Sequence, residues 1–139
     1  MIRPGEHVFV DTGAWVALAV VGDPLHERAV AHWIRLREAG ARLTTSVPVV
    51  IETFTYLDRK GSRELARLWR DSLDTVERLE VIDCSAADLA RAWAYVDRKQ
   101  FHRLSLVDAT SFVLMQRRRI RVAFAFDTHF AVAGFRYVD

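Results

Sequence analysis

The chain has 139 residues, 51% hydrophobic and 27% charged, with 20 Lys and Arg against 18 Asp and Glu and a formal charge of +2. That balance reads as a single globular domain over 1–139 with a sizeable core, and it excludes a disordered or fibrous chain. The mild basicity is compatible with a nucleic-acid partner without indicating one. The lone Cys84 excludes an intrachain disulfide and fits a reducing, cytoplasmic setting, while the apolar run 14–21 is too short to cross a membrane.

Val8-Phe9-Val10 predicts a buried parallel strand, and Asp11 follows at its carboxyl end, where open α/β sheets place ligands. Thr12 and Gly13 lead into a short helix with Trp15, Leu18 and Ala19 on one face, stopped by Gly22-Asp23-Pro24. Gly13 offers a close backbone turn beside that crevice. A second helix carries Leu25, Ala29, Trp33 and Leu36 at i, i+4, i+8 and i+11 and ends at Gly40 in a left-handed cap. A short second strand is expected over 42–45. Ser46 and Pro48 open a third helix, with Val50, Phe54 and Leu57 as its buried stripe and Glu52 on another face.

Gly61-Ser62 breaks and restarts the helix, and Leu65, Leu68, Trp69, Leu73 and Val76 make the next one amphipathic. A third strand spans 79–83. Ser85-Ala86-Ala87-Asp88 is a capping-box-like start for a helix carrying Leu89, Trp93 and Val96, which 101–104 ends. Ser105-Leu106-Val107-Asp108 repeats that start, and 109–115 is apolar nearly all round, the mark of a buried helix. A fourth strand over 121–126 runs into Asp127, and 136–138 is a last edge strand. The alternation predicts an α/β fold with a central parallel sheet covered on both faces, and paired helices in the second and third crossovers.

Asp11 and Asp127 each follow an apolar strand and precede a threonine, so both are expected at one sheet edge. Glu52 lies early in the helix after strand two, and Asp108 in the first turn of the buried helix. Two such charges about 5 Å apart repel by roughly 3 kcal/mol at an effective dielectric of about 20. The group therefore takes up protons unless a cation sits within it. Oxygen ligands suit Mg²⁺ or Mn²⁺, ions that support in-line phosphodiester cleavage. Each acid also has an ordinary reading when taken alone. Asp11 or Thr12 can cap a helix, Glu52 can be a solvated helix residue, Asp108 can close a capping box, and Asp127 can head a turn. Their joint placement favours the metal site.

Four segments carry a family resemblance: Val10-Asp11-Thr12-Gly13-Ala14-Trp15; Glu52-Thr53 after Thr44-Thr45-Ser46; Leu104 through Phe112; and Phe126-Asp127-Thr128-His129-Phe130. In this order they resemble PIN-domain ribonucleases, specifically the toxins of VapBC-type toxin–antitoxin pairs. The resemblance implies a three-layer α/β/α sandwich and a Mg²⁺-dependent endoribonuclease. It implies an acidic quartet of Asp11, Glu52, Asp108 and Asp127, with Asp11, Asp108 and Asp127 as metal ligands and Glu52 assisting through water. Thr12 and Thr128 would support the ligands by hydrogen bonds. It also implies an RNA substrate, a VapB-type antitoxin seated on the surface around Trp33 and Trp69, and a homodimer.

Arg117-Arg118-Arg119 with Arg121 offers a grip on RNA phosphates, against the simpler reading of cations complementing a helix C-terminus. Arg59, Lys60 and Arg63 are a second candidate grip. His129 reads as a surface histidine and Asp97 as a solvated acid. Two rivals stand beside the nuclease: a catalytically silent PIN scaffold, which the intact acids oppose, and a phosphoacceptor signalling domain. The latter would need paired acids at the first strand end and a late lysine, and this sequence has neither.

Overall fold

The computed structural model describes residues 2–139. Five strands form one parallel sheet in the order β3-β2-β1-β4-β5. In chain order these are β1 (His7–Val10), β2 (Arg42–Ser46), β3 (Leu79–Ile82), β4 (Val122–Phe124) and β5 (Arg136–Tyr137). The helices are α1 (Thr12–Ala19), α2 (His26–Glu38), α3 (Val47–Tyr56), α4 (Arg63–Leu73), α5 (Ala86–Val96), α6 (Leu106–Arg117) and the single turn α7 (His129–Val132). The expected helix pairs are present: α3 and α4 follow β2, and α5 and α6 follow β3. Among the described residues, no helix is long and apolar enough to cross a membrane.

Val8, Phe9 and Val10 of the central strand are all fully buried, as an α/β/α sandwich with both sheet faces covered requires. Parallel pairing aligns Val10 with Phe124 of β4, so these two strands end side by side. The strand order reverses at that point, because the chain leaves β1 towards β2 on one side and reaches β4 on the other. A crevice at such a switch point lies outside the strand ends. Thr45 of β2 ties this edge together: its hydroxyl donates to the Val10 carbonyl at 2.9 Å and accepts from the Trp15 indole at 3.2 Å. At the opposite edge, Gly40 adopts φ +63, and the Ala41 amide reaches back to the Leu36 carbonyl, closing α2 as expected.

Several boundaries and faces differ from the sequence expectation. The buried residues of α3 are Val49 and Thr53, continued by Leu57 just past its end, whereas Val50 and Phe54 are half-buried at the margin. Thr53 interrupts the apolar pattern there, which is why the row reads one residue off. On α5 the inward residues are Asp88, Ala92 and Tyr95, and Leu89, Trp93 and Val96 are exposed. Tyr95 packs edge-on against Phe101 and Phe112, and Asp88 is held by Ser85 and Arg117, so an acid and a small residue face inward where larger apolar groups do not. β4 stops at Phe124 rather than at 126, because β1 has ended beside it and β5 pairs only with Val122 and Ala123.

Candidate metal centre

Asp11 leaves β1 with its amide bonded to the Phe124 carbonyl at 3.0 Å, which fixes it between the two strand ends. It occupies the position preceding α1, yet its side chain makes no capping hydrogen bond. The residue is 4% exposed, and Oδ1 is buried without a hydrogen-bond partner. An orphaned, buried carboxylate oxygen costs on the order of 1–3 kcal/mol or more unless something satisfies it.

Asp108 sits in the first turn of α6, 6% exposed. The Ser105 hydroxyl accepts its amide at 3.0 Å, but Asp108 does not return a bond to the Ser105 amide. The matching segment Ser85–Asp88 does close a full capping box. Identical spacing thus has two outcomes, and only the Asp88 carboxylate is consumed by capping.

Asp127 lies three residues past β4, with its side chain 39% exposed. It therefore does not repeat the buried strand-end geometry of Asp11. Its Oδ1 accepts the His129 amide at 2.7 Å, and its carbonyl accepts the Tyr137 hydroxyl at 2.6 Å, so β5 holds the turn in place. Ligand atoms of Asp108, Asp127 and His129 lie within 4.8 Å of one another. Glu52 is half-buried on α3 and contributes to the same electrostatic field.

Burial raises the Asp11 carboxyl to about 7, with the charges of Glu52 and Asp127 adding to the effect and the Thr12 and Gly13 amides opposing it. Burial also raises Asp108, to about 9, followed by the charges of Asp11, Asp127 and Glu52, while the Ser105 hydroxyl opposes. Acids gathered in this way retain protons at neutral pH unless a cation replaces them. The close group of Asp108, Asp127 and His129 does not include Asp11, whose orphaned oxygen lies in the same electrostatic field; together with the raised pKa values these acids fit a divalent cation in the crevice.

Other expected features fare differently. The Thr12 hydroxyl is buried without a partner, and Thr128 is exposed and makes no side-chain cap bond, so neither hydroxyl hydrogen-bonds a carboxylate of the cluster. A Cβ on Gly13 would meet only Asp11 Oδ2, at an ordinary 3.9 Å, so the site does not require glycine there. Arg117 pairs with Asp88 and Arg118 with Glu80, at the end of α6 opposite Asp108, which agrees with the helix-terminus reading. Arg63 is engaged by Asp58. His129 and Tyr137 are the residues that sequence reasoning missed. For His129 the only available signal was its place two residues after Asp127; for Tyr137 there was none.

A family model for the PIN domain matches residues 8–136. The 23S rRNA-specific endonuclease VapC20 of Mycobacterium tuberculosis is 38% identical over 130 residues, covering 92% of this chain and 95% of the relative. The crystal structure of M. tuberculosis VapC20, described as a sarcin-ricin loop cleaving toxin, aligns with a TM-score of 0.79 and 33% identity over 92% of this chain and 95% of that one. VapBC2 from Rickettsia felis, crystallised with a DNA fragment from its promoter, shares the fold alone, with a TM-score of 0.67 and 13% identity over 94% of this chain and 96% of that one. Matched by the model from its first strand to its last, this chain belongs to the PIN-domain family.

Proposed function

We propose that this chain is a Mg²⁺-dependent endoribonuclease, the toxin of a type II toxin–antitoxin pair, acting in the cytoplasm as one domain over 1–139. Mn²⁺ is an alternative ion. The observation that carries the reading is the buried, partnerless Asp11 oxygen beside acids that retain protons. Asp11, Asp108 and Asp127 hold the ion, and Glu52 assists through water. When bound, the ion supplies activation of a water and stabilisation of the charge that develops on the phosphodiester. Asp11 and Asp108 release their protons on loading, and the rigid β1 edge and α6 start hold their carboxylates in place. Thr12 and Thr128 border these ligands and would engage only after a local shift. Likeness to the 23S rRNA-specific relative makes large-subunit ribosomal RNA the proposed substrate.

Two apolar surfaces suit protein partners. Trp15, Leu18, Trp33, Leu65, Leu68 and Trp69 line a cleft of about 470 Å³, where Leu68 is 62% exposed and the Trp69 indole nitrogen is buried without a partner. An amphipathic segment of a VapB-type antitoxin would fill it and supply the missing acceptor. The exposed face of Leu89, Trp93 and Val96 on α5 is proposed as the homodimer contact, and sedimentation of Trp93→Glu as a monomer would support it.

The central test is cleavage of ribosomal RNA by the purified chain. Mg²⁺ should support it, EDTA should stop it, and Asp11→Asn should abolish it. Chelator-resistant cleavage retained by Asp11→Asn overturns the assignment.

A further inference from the structure

We infer that His129 is a nitrogen ligand of the metal centre, completing a mixed donor set with Asp108 and Asp127. This rests on the metal-site reading above and goes beyond its all-carboxylate form. The ring is held by a hydrogen bond at one nitrogen and leaves the other free. Nε2 lies 3.1 Å from the His102 carbonyl, which can only accept, so Nε2–H donates there and Nδ1 is the nitrogen left facing the carboxylates; ligand atoms of Asp108, Asp127 and His129 lie within 4.8 Å of one another. Nδ1 lies 2.7 Å from Asp127 Oδ1 yet makes no hydrogen bond to it, and it is buried without any partner.

The surroundings support the assignment independently. A metal-ligating histidine commonly gives its other N–H to a backbone carbonyl, as here. His129 is followed by Phe130, fully buried and edge-on to Phe112 of α6 at 4.9 Å, the helix that also carries Asp108. Phe101 packs 6.3 Å from the imidazole on another side. The buried Asp11 Oδ1 is likewise without a partner, and its carboxyl feels the charge of Asp127. An imidazole nitrogen raises affinity for Mn²⁺ and later transition ions relative to Mg²⁺.

Electron spin-echo spectroscopy of the full chain loaded with Mn²⁺ tests this. Histidine-derived ¹⁴N modulation is expected, changing to the ¹⁵N pattern when the protein is made with ¹⁵N-histidine. It should vanish in His129→Leu, while Mn²⁺ still binds with affinity lowered about 10-fold and Mg²⁺ affinity falls less. The labelled wild-type chain gives the answer even if that variant folds poorly. Mn²⁺ bound without nitrogen modulation overturns the His129 assignment and leaves the carboxylate site standing, as does modulation that survives in His129→Leu. Calorimetry showing no Mn²⁺ binding by the wild-type chain overturns the carboxylate site as well.

Discussion

After burial itself, the charge of Asp11 contributes most to raising the Asp108 carboxyl, which stands at about 9. The two residues come from β1 and α6, nearly a hundred positions apart, and neither can ionise freely beside the other. The metal-free fold must therefore keep protons that the unfolded chain gives up.

The sign of the resulting pH dependence is fixed. Below about pH 4 both states are protonated, and the cluster costs nothing. As pH rises towards about 9, the unfolded chain ionises while the fold does not, so metal-free stability falls. For Asp11, moving from 3.8 to about 7 corresponds to on the order of 4 kcal/mol. Thermal melts in EDTA should thus show Tm dropping between about pH 5 and about pH 8, and Mg²⁺ should raise Tm more at the higher pH. A metal effect independent of pH would contradict this.

Asp88 and Asp108 should respond in opposite ways. Asp88→Ala removes a closed capping box and the Arg117 contact at 3.0 Å, and is expected to cost about 1–3 kcal/mol in denaturant unfolding with metal binding intact. Asp108→Asn should leave metal-free stability equal or higher at neutral pH, since it replaces a carboxyl that the fold must keep protonated with a neutral amide, and should abolish Mn²⁺ binding in calorimetry.

Thr45→Val should destabilise the fold by about 1–3 kcal/mol, because the Trp15 indole loses its acceptor and the Val10 carbonyl its side-chain donor. Val10 precedes Asp11, so weaker metal binding should accompany the loss. Thr45→Ser keeps the hydroxyl and should recover most of both, as read by Tm and by Mn²⁺ titration.

Leu68→Asp should leave the unfolding free energy within about 0.5 kcal/mol of the wild type, since Leu68 is 62% exposed. It should nevertheless weaken capture of the cognate antitoxin by at least about tenfold in a pull-down or titration. Unchanged antitoxin affinity would place the partner elsewhere.

The sequence by itself determined the sheet and the candidate acids. Val8-Phe9-Val10 is apolar at every position because a central parallel strand is buried on both faces, and the periodic helices between the strands leave few alternative architectures. The spacing of apolar strands and caps also placed Asp11, Glu52, Asp108 and Asp127 near one edge. Only the tertiary structure decided what each polar group does there. Ser85–Asp88 and Ser105–Asp108 share one motif, yet the Asp108 carboxyl feels the charge of Asp11 while Asp88 closes its cap, and local spacing cannot distinguish a carboxylate that caps from one that does not. The inward face of α5 was likewise settled by Tyr95 meeting Phe101 and Phe112, contacts made across the chain rather than along it. His129 shows the limit most directly: a histidine near a strand end is commonplace, and what singles this one out is a His102 carbonyl that takes Nε2–H and an Asp127 carboxylate 2.7 Å from an unpartnered Nδ1.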